Sequence, residues 1–200
     1  MLVRRTAKQQ HESSHPLVVL LHGRGADETS MIPLTELVPA AWDWVTVRGP
    51  IDLGGSFTWF DNRGIGRPDP ASLEQSIAWF RSWLDDEADG REVVLVGFSG
   101  GAAFASAVVL DDPRAISAMA LLHGVVAGEH VSGRLESTPV FLARSTNDQV
   151  LPIDLAREGR DYLADESGAD LTEVVTDTGH TIDAGTARSF GTWLAERSVR

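Results

Sequence analysis

The chain has 200 residues, 42% of them hydrophobic and 23% charged, and this composition indicates one globular domain over residues 1–200. The formal net charge is −12, and the sequence has no basic stripe that would bind nucleic acid. It also has no run of about 20 apolar residues, the length that a membrane-spanning helix needs. Without cysteine there is no disulfide framework and no thiolate chemistry, and without a recognisable signal peptide we expect a cytoplasmic protein.

Apolar runs alternate with helix-like segments along the chain. Unalternated runs of this kind favour strands that are buried on both faces of a parallel sheet. The predicted strands are 17–21, 44–47, 93–96, 118–122, 139–143 and 171–175.

Helical patterns occupy the intervals between these runs. Asp69 and Pro70 predict a helix start, and the apolar residues from Leu73 to Leu84 then share one helical face. Further helices are predicted over 102–110, 152–163 and 185–194. This alternation predicts an α/β fold with a mostly parallel, doubly wound sheet and helices on both faces. In such a sheet ligands bind at the carboxyl ends of strands, so we looked for chemistry in the residues that follow each strand.

The segment 97–101 reads G-F-S-G-G and lies between a predicted strand and a helix of small residues. This is the setting of a nucleophile elbow, in which a sharp turn exposes the serine hydroxyl. We therefore predict that Ser99 is a nucleophile and that the N–H of Gly100 faces a developing oxyanion. The alternative interpretation is a glycine-rich turn with a capping serine.

A nucleophilic serine needs a base and an acid, and in this fold the acid precedes the histidine along the chain. His180 is the one histidine beyond residue 130, and it lies in a loop after a predicted strand. Asp148 is the one carboxylate in the loop after the preceding strand, whereas Asp154 falls in the next helix. We therefore predict Ser99, His180 and Asp148 as a catalytic triad. A surface histidine and a turn or capping aspartate are the alternatives.

The loop after the first predicted strand reads H-G-R-G-A-D and is rich in glycine. Such a loop can direct a backbone N–H at an oxyanion, and we expect this donor to be Arg24. A phosphate-binding loop is the competing interpretation, but neither of its longer glycine motifs is present. The Arg24 side chain has two open roles, contact with an acidic substrate or pairing with Asp27 or Glu28.

Together these motifs resemble the phospholipase/carboxylesterase family of α/β-hydrolases, which includes carboxylesterases, lysophospholipases and acyl-protein thioesterases. The resemblance extends from Leu17 to about Leu194 and includes the segments 20–25, 47–50, 59–61, 97–99, 147–152 and 179–180. It implies a triad without a metal or other cofactor, an oxyanion hole from Arg24 and Gly100, and frequent homodimers. It also implies that Trp59 and Phe60 lie near the acyl pocket, and we add Leu151, in the matched segment 147–152, as a candidate for substrate binding. The family usually has glutamine where this chain has Gly100.

The resemblance implies hydrolysis of a small ester or thioester through an acyl-enzyme. Because 200 residues barely cover a sheet and its helices, we expect no lid, a shallow pocket and a preference for short acyl chains. Lysophospholipase or acyl-protein thioesterase activity, acyl transfer, peptidase activity and a non-catalytic binding protein on the same fold stay open alternatives.

Overall fold

The structure is a computed structural model that describes residues 3–5 and 15–197. In chain order its elements are β1 (Val3–Arg5), β2 (Leu17–Leu21), α1 (Ile32–Thr35), β3 (Asp43–Val47), β4 (Ile51–Asp52), β5 (Phe57–Thr58), β6 (Asn62–Gly64), β7 (Arg67–Pro68), α2 (Pro70–Ala88), β8 (Val93–Phe98), α3 (Gly100–Asp111), β9 (Ala118–Leu122), β10 (Pro139–Ser145), α4 (Ile153–Asp161), β11 (Asp170–Thr176) and α5 (Ala184–Arg197). Short 3₁₀ turns occupy Glu28–Met31 and Pro113–Ala115, and a π-helical turn, Tyr162–Glu166, extends α4.

The central sheet has seven strands in the order β1-β3-β2-β8-β9-β10-β11. The six strands predicted from apolar runs are all present and run parallel, with ends that differ from the prediction by one or two residues. The seventh strand, β1, pairs antiparallel with β3 at the edge of the sheet and was not predicted. Its three residues include two arginines, so no hydrophobic pattern marks it.

Both faces of the sheet are covered by helices. Val19 and Leu21 of β2 pack with Phe80 of α2 and Phe104 of α3 on one face. The residues of β2 that alternate with them pack on the other face, in a cluster that includes the aromatic side chains of α5. The predicted doubly wound α/β architecture is thus confirmed.

The helix start predicted at Asp69 and Pro70 is correct. Asp69 caps α2, because its carboxylate accepts hydrogen bonds from the N–H groups of Ala71 and Ser72, both at 3.1 Å. Two short hairpins, β4–β5 and β6–β7, lie between β3 and α2 and were not predicted, since strands of two or three residues show no periodicity. Within the part of the chain that the structure describes, no helix is long and apolar enough to cross a membrane.

Candidate active site

Ser99 lies on a strained turn between β8 and α3. Its backbone has φ +53° and ψ −115°, a conformation that non-glycine residues rarely adopt, and its N–H donates to the carbonyl of Leu122 at 2.9 Å. A Cβ on Gly97 would lie 2.2 Å from the Gly101 carbonyl oxygen, and a Cβ on Gly101 would lie 2.3 Å from that of Leu21. The turn therefore requires both glycines, as the elbow motif predicts.

A chain of hydrogen bonds joins the three residues predicted as a triad. His180 Nε2 lies 2.8 Å from Ser99 Oγ, and His180 Nδ1 lies 2.7 Å from Asp148 Oδ2. Along the sequence Ser99 is 81 positions and Asp148 is 32 positions from His180, and the parallel sheet brings all three together at one edge. A carboxylate on Nδ1 leaves Nε2 free to accept the serine proton.

Asp148 is held as a carboxylate by its surroundings. Burial raises the pKa of its carboxyl group, but hydrogen bonds from His180 and from the N–H groups of Leu151 and Val150 outweigh this, so the pKa lies below its ordinary value. Both N–H groups bond to Oδ1, at 3.1 and 2.9 Å, which leaves Oδ2 for the imidazole. The capping turn expected as an alternative role for Asp148 is therefore present together with the histidine contact.

The loops that carry Asp148 and His180 are joined to each other by Ser145. Its hydroxyl oxygen accepts hydrogen bonds from the N–H of Asn147 at 3.1 Å and from that of Gly179 at 3.0 Å. Ser145 thus links the residue before the acid to the residue before the base. Sequence reasoning missed this role, because the contact spans 34 positions and has no local pattern.

Asp183 fixes the far side of the histidine loop. Its carboxylate accepts hydrogen bonds from the hydroxyl of Thr178 and from the N–H groups of Gly185 and Thr186 in the first turn of α5. The bond from Thr186 is the largest cause that lowers the pKa of Asp183, to about 2. His180 is therefore enclosed by a loop that is anchored at both ends.

The two predicted oxyanion donors are adjacent. A Cβ on Gly100 would lie 3.1 Å from the backbone nitrogen of Arg24, so the two segments are nearly in contact. Neither N–H donates a hydrogen bond to any described residue, and that of Gly100 belongs to the first residue of α3, where helix N–H groups lack internal acceptors. Both groups are free to bind an oxygen beside Ser99.

His22 holds the loop that carries Arg24. Its Nδ1 lies 2.7 Å from the carbonyl oxygen of Gly23, and its Nε2 lies 3.0 Å from the N–H of Gly49. Since a carbonyl only accepts and an N–H only donates, the ring is neutral with its proton on Nδ1. Burial lowers the pKa of this imidazole, which favours the same form. His22 therefore both packs in the core and shapes the loop.

The acidic residues of this loop bind a different arginine from the one considered in the sequence. Arg48 Nε lies 2.6 Å from Glu28 Oε2, and Arg48 also lies 3.9 Å from Asp27 and over the ring of Phe57. Glu28 is fully buried, so this pair fixes the loop from beneath. Arg24 therefore does not form the ion pair with Asp27 or Glu28 that was one of its two expected roles.

A cleft of about 1000 Å³ opens beside Ser99 and is larger than the shallow pocket expected from the chain length. Phe60 and Leu151, the residues expected near the acyl pocket and the substrate, lie on its mainly apolar wall. Its outer wall comes from the 3₁₀ turn and α1 on one side and from Ile65, at the tip of the β6–β7 hairpin, on the other. The volume is at the upper end of the range for small-molecule sites.

Trp59 corrects one prediction, because it lies under the cleft and not on its wall. It is fully buried, its ring stacks on Phe104 at 4.9 Å, and its indole N–H donates to the carbonyl oxygen of His22 at 2.7 Å. The family resemblance implies a residue near the pocket at this position, but an indole with a buried acceptor is equally suited to the core. Trp59 supports the oxyanion loop from below.

A second histidine, His123, lies near His180. It is fully buried in the left-handed region at φ +49°, and its ring centre lies 6.3 Å from that of His180. Neither ring nitrogen has a hydrogen-bond partner among the described residues. Within the same residues, no group of three or more His, Cys, Asp or Glu side chains is placed to hold a metal ion.

Comparisons with known proteins bear on the family and the fold of the chain. The sequence matches the family model described as Phospholipase/Carboxylesterase over residues 5–196. It is 24% identical over 193 residues to the putative hydrolase MhqD of Bacillus subtilis (strain 168). This alignment covers 94% of this chain and 96% of that protein. The crystal structure of the Bacillus cereus carboxylesterase is similar with a TM-score of 0.84 and 24% identity, over 98% of this chain and 94% of that one. The crystal structure of a carboxylesterase from Mesorhizobium loti is similar with a TM-score of 0.80 and 24% identity, over 90% of this chain and 88% of that one. The α/β-hydrolase fold is thereby confirmed.

The anchoring of the histidine loop by Asp183 gives a pH-dependent prediction. Asp183→Ala should lower the free energy of unfolding at neutral pH, because its carboxylate loses four hydrogen bonds: the three described above and one from the Thr186 hydroxyl at 3.1 Å. The pKa of this group is lowered on folding, so its contribution is complete above the unfolded pKa of about 4 and is lost as the pH falls through about 2. Urea titrations should therefore show the difference from wild type narrowing below about pH 4.

Asp177→Ala is the matched control, since it removes the same charge from an exposed position in the same loop. It should change the free energy of unfolding little at any pH. A difference for Asp183→Ala that stays constant from pH 7 to pH 3, or an equal effect of Asp177→Ala, would contradict this role of Asp183.

Proposed function

The chain belongs to the phospholipase/carboxylesterase family, and we propose that it hydrolyses carboxylic esters through an acyl-enzyme formed on Ser99. The observation that carries this proposal is the unbroken hydrogen-bonded chain from Ser99 through His180 to Asp148, beside two unpaired backbone N–H groups. Nucleophile, base, orienting acid and oxyanion donors are the set that acyl transfer needs. A thioester fits the same chemistry.

In the first half-reaction His180 Nε2 accepts the proton of Ser99 Oγ as that oxygen attacks the ester carbonyl. The carbonyl oxygen becomes negative and takes two hydrogen bonds, from the N–H groups of Arg24 and Gly100. The bond to the leaving oxygen or sulfur then breaks, and His180 gives its proton to that atom. Water repeats the sequence in the second half-reaction, with His180 as base, and releases the acid and free Ser99.

Asp148 acts on the histidine and not on the substrate. Its carboxylate holds the Nδ1–H tautomer and stabilises the imidazolium that forms when Ser99 is deprotonated. Because its pKa lies below the ordinary value, it stays charged over the range in which His180 works. Its second oxygen is fixed by two backbone N–H groups, which keeps the ring in line with Ser99.

The cleft favours longer acyl chains than the sequence alone suggested. Its volume of about 1000 Å³ and its apolar wall leave room beyond the first few methylenes. Each methylene that is buried contributes about 0.8 kcal/mol at most. The value of kcat/KM therefore rises with the length of the acyl chain as long as each added methylene contacts the apolar wall. We propose an optimum at roughly six to ten carbons. A cytoplasmic location and a homodimer stay predictions.

Ser99→Ala should lower kcat for p-nitrophenyl esters at least about a thousandfold, and Asp148→Asn should have a comparable effect with little change in KM. The loss falls on kcat because these groups act on the chemical step. Asp154→Asn and Asp177→Asn are matched controls, each removing one exposed carboxylate, and should stay within about threefold of wild type. A Ser99→Ala protein that kept a tenth of the wild-type rate would rule Ser99 out as the nucleophile.

A series of p-nitrophenyl esters from acetate to palmitate tests the role of the cleft. Ile65→Ser should lower kcat/KM for octanoate about threefold to tenfold and leave acetate nearly unchanged, because Ile65 lines only the outer wall. Ile153→Ser is the control, since Ile153 is 61% exposed, close to the 60% of Ile65, but lies off the cleft wall.

Two outcomes would overturn the proposed chain-length preference. An optimum at acetate or butyrate would restore the short-chain preference expected from the sequence. An optimum at twelve or more carbons, with a jump in rate at the critical micelle concentration, would favour lysophospholipase activity.

A further inference from the structure

The wall of the cleft beside Ser99 carries a single fixed charge. Among the described residues that line it, Arg24 is the one arginine, and no lysine, aspartate or glutamate is present. The rest of the wall is mainly apolar, with a few uncharged polar groups and the imidazole of His180. A lone cation in such a wall is unusual in a chain whose net charge is −12.

No carboxylate of the described protein neutralises Arg24. The two nearby candidates, Asp27 and Glu28, are bound to Arg48 instead. Arg24 is exposed and forms no ion pair or side-chain hydrogen bond with the described residues. Other exposed arginines of this chain do pair with an acidic neighbour, as Arg63 does with Asp69 at 2.8 Å.

The side chain of Arg24 begins next to the reacting atoms. Its Cβ lies 3.3 Å from the point where a Cβ on Gly100 would be, and its own N–H is a proposed oxyanion donor. A side chain on Gly100 would press on both of these Arg24 atoms. The missing side chain at Gly100 therefore leaves space for Arg24 beside the scissile bond.

We propose that the Arg24 guanidinium binds a carboxylate of the substrate, so that the preferred esters carry a negative charge close to the scissile bond. This inference rests on the proposed ester hydrolysis. A guanidinium matches a carboxylate with two parallel hydrogen bonds. One cation without a second one nearby matches a singly charged carboxylate better than a doubly charged phosphate.

Two pairs of esters test the proposal, each pair differing only in charge. In the first pair, mono-p-nitrophenyl adipate carries a carboxylate at the end of its acyl chain, and its terminal amide is the neutral member. In the second pair, the hexanoate ester of 3-hydroxybenzoate carries the carboxylate on its leaving group, and the hexanoate ester of 3-hydroxybenzamide is the neutral member. The measured quantity is the ratio of kcat/KM for the anionic member to that for the neutral member. Because the ratio is taken within one protein, a change in the oxyanion hole cancels.

In at least one pair, Arg24→Gln should lower this ratio about fivefold to tenfold relative to wild type, and Arg24→Lys should give an intermediate ratio. Added salt should reduce the wild-type ratio. Arg67→Gln is the matched control, because it removes an exposed positive charge next to cleft residue Gly66, and it should keep the wild-type ratio.

A ratio for Arg24→Gln within twofold of wild type in both pairs, or an equal fall for Arg67→Gln, would overturn the proposal. Failure of ester hydrolysis itself looks different, since the wild type would then turn over the neutral members no faster than Ser99→Ala. Turnover of the neutral members by Arg24→Gln and Arg24→Lys also shows that these variants are folded.

Discussion

The contact between β8, α3 and the end of β2 is the constraint on which the site depends. Gly97 and Gly101 let these backbones approach to distances that no Cβ would allow. This approach forces Ser99 into a left-handed conformation and directs its hydroxyl toward His180. The same contact brings the loop after β2 against the first residue of α3, so that Arg24 and Gly100 become neighbours. One packing constraint therefore positions both the nucleophile and the oxyanion donors.

The loops around the elbow are then fixed by polar contacts, which are buried at His22 and partly exposed at Ser145. On the oxyanion side, His22 binds Gly49 while its carbonyl takes the indole N–H of Trp59. On the other side, Ser145 joins the loops of the acid and the base. Such contacts preorganise the site, so the protein reorganises little during the reaction. What stays open is a large, mainly apolar cleft whose described lining includes one arginine, Arg24.

Much of this could be predicted from the sequence, because parallel strands are buried on both faces and their ends converge. Unalternated apolar runs gave six strands of the sheet, and the order serine, acid, histidine then selected Ser99, Asp148 and His180. The missed features have other causes. The strand β1 and the two hairpins are too short for periodicity, and the contacts of Ser145 and Arg48 join segments that are far apart in sequence. Trp59 was placed in the pocket because composition cannot distinguish a buried aromatic ring from one that lines a cleft.

The most direct test of the central claim is to locate the covalent adduct formed by a fluorophosphonate. After inactivation of the wild type, proteolysis and mass spectrometry should find one modified residue, Ser99, in a stoichiometry that matches the activity lost. The probe fits because the phosphonyl oxygen takes the place of the oxyanion once Ser99 Oγ has displaced fluoride. A stoichiometric adduct on another residue, or a fully labelled Ser99 in a protein that still hydrolyses esters, would contradict the acyl-enzyme mechanism proposed for this chain.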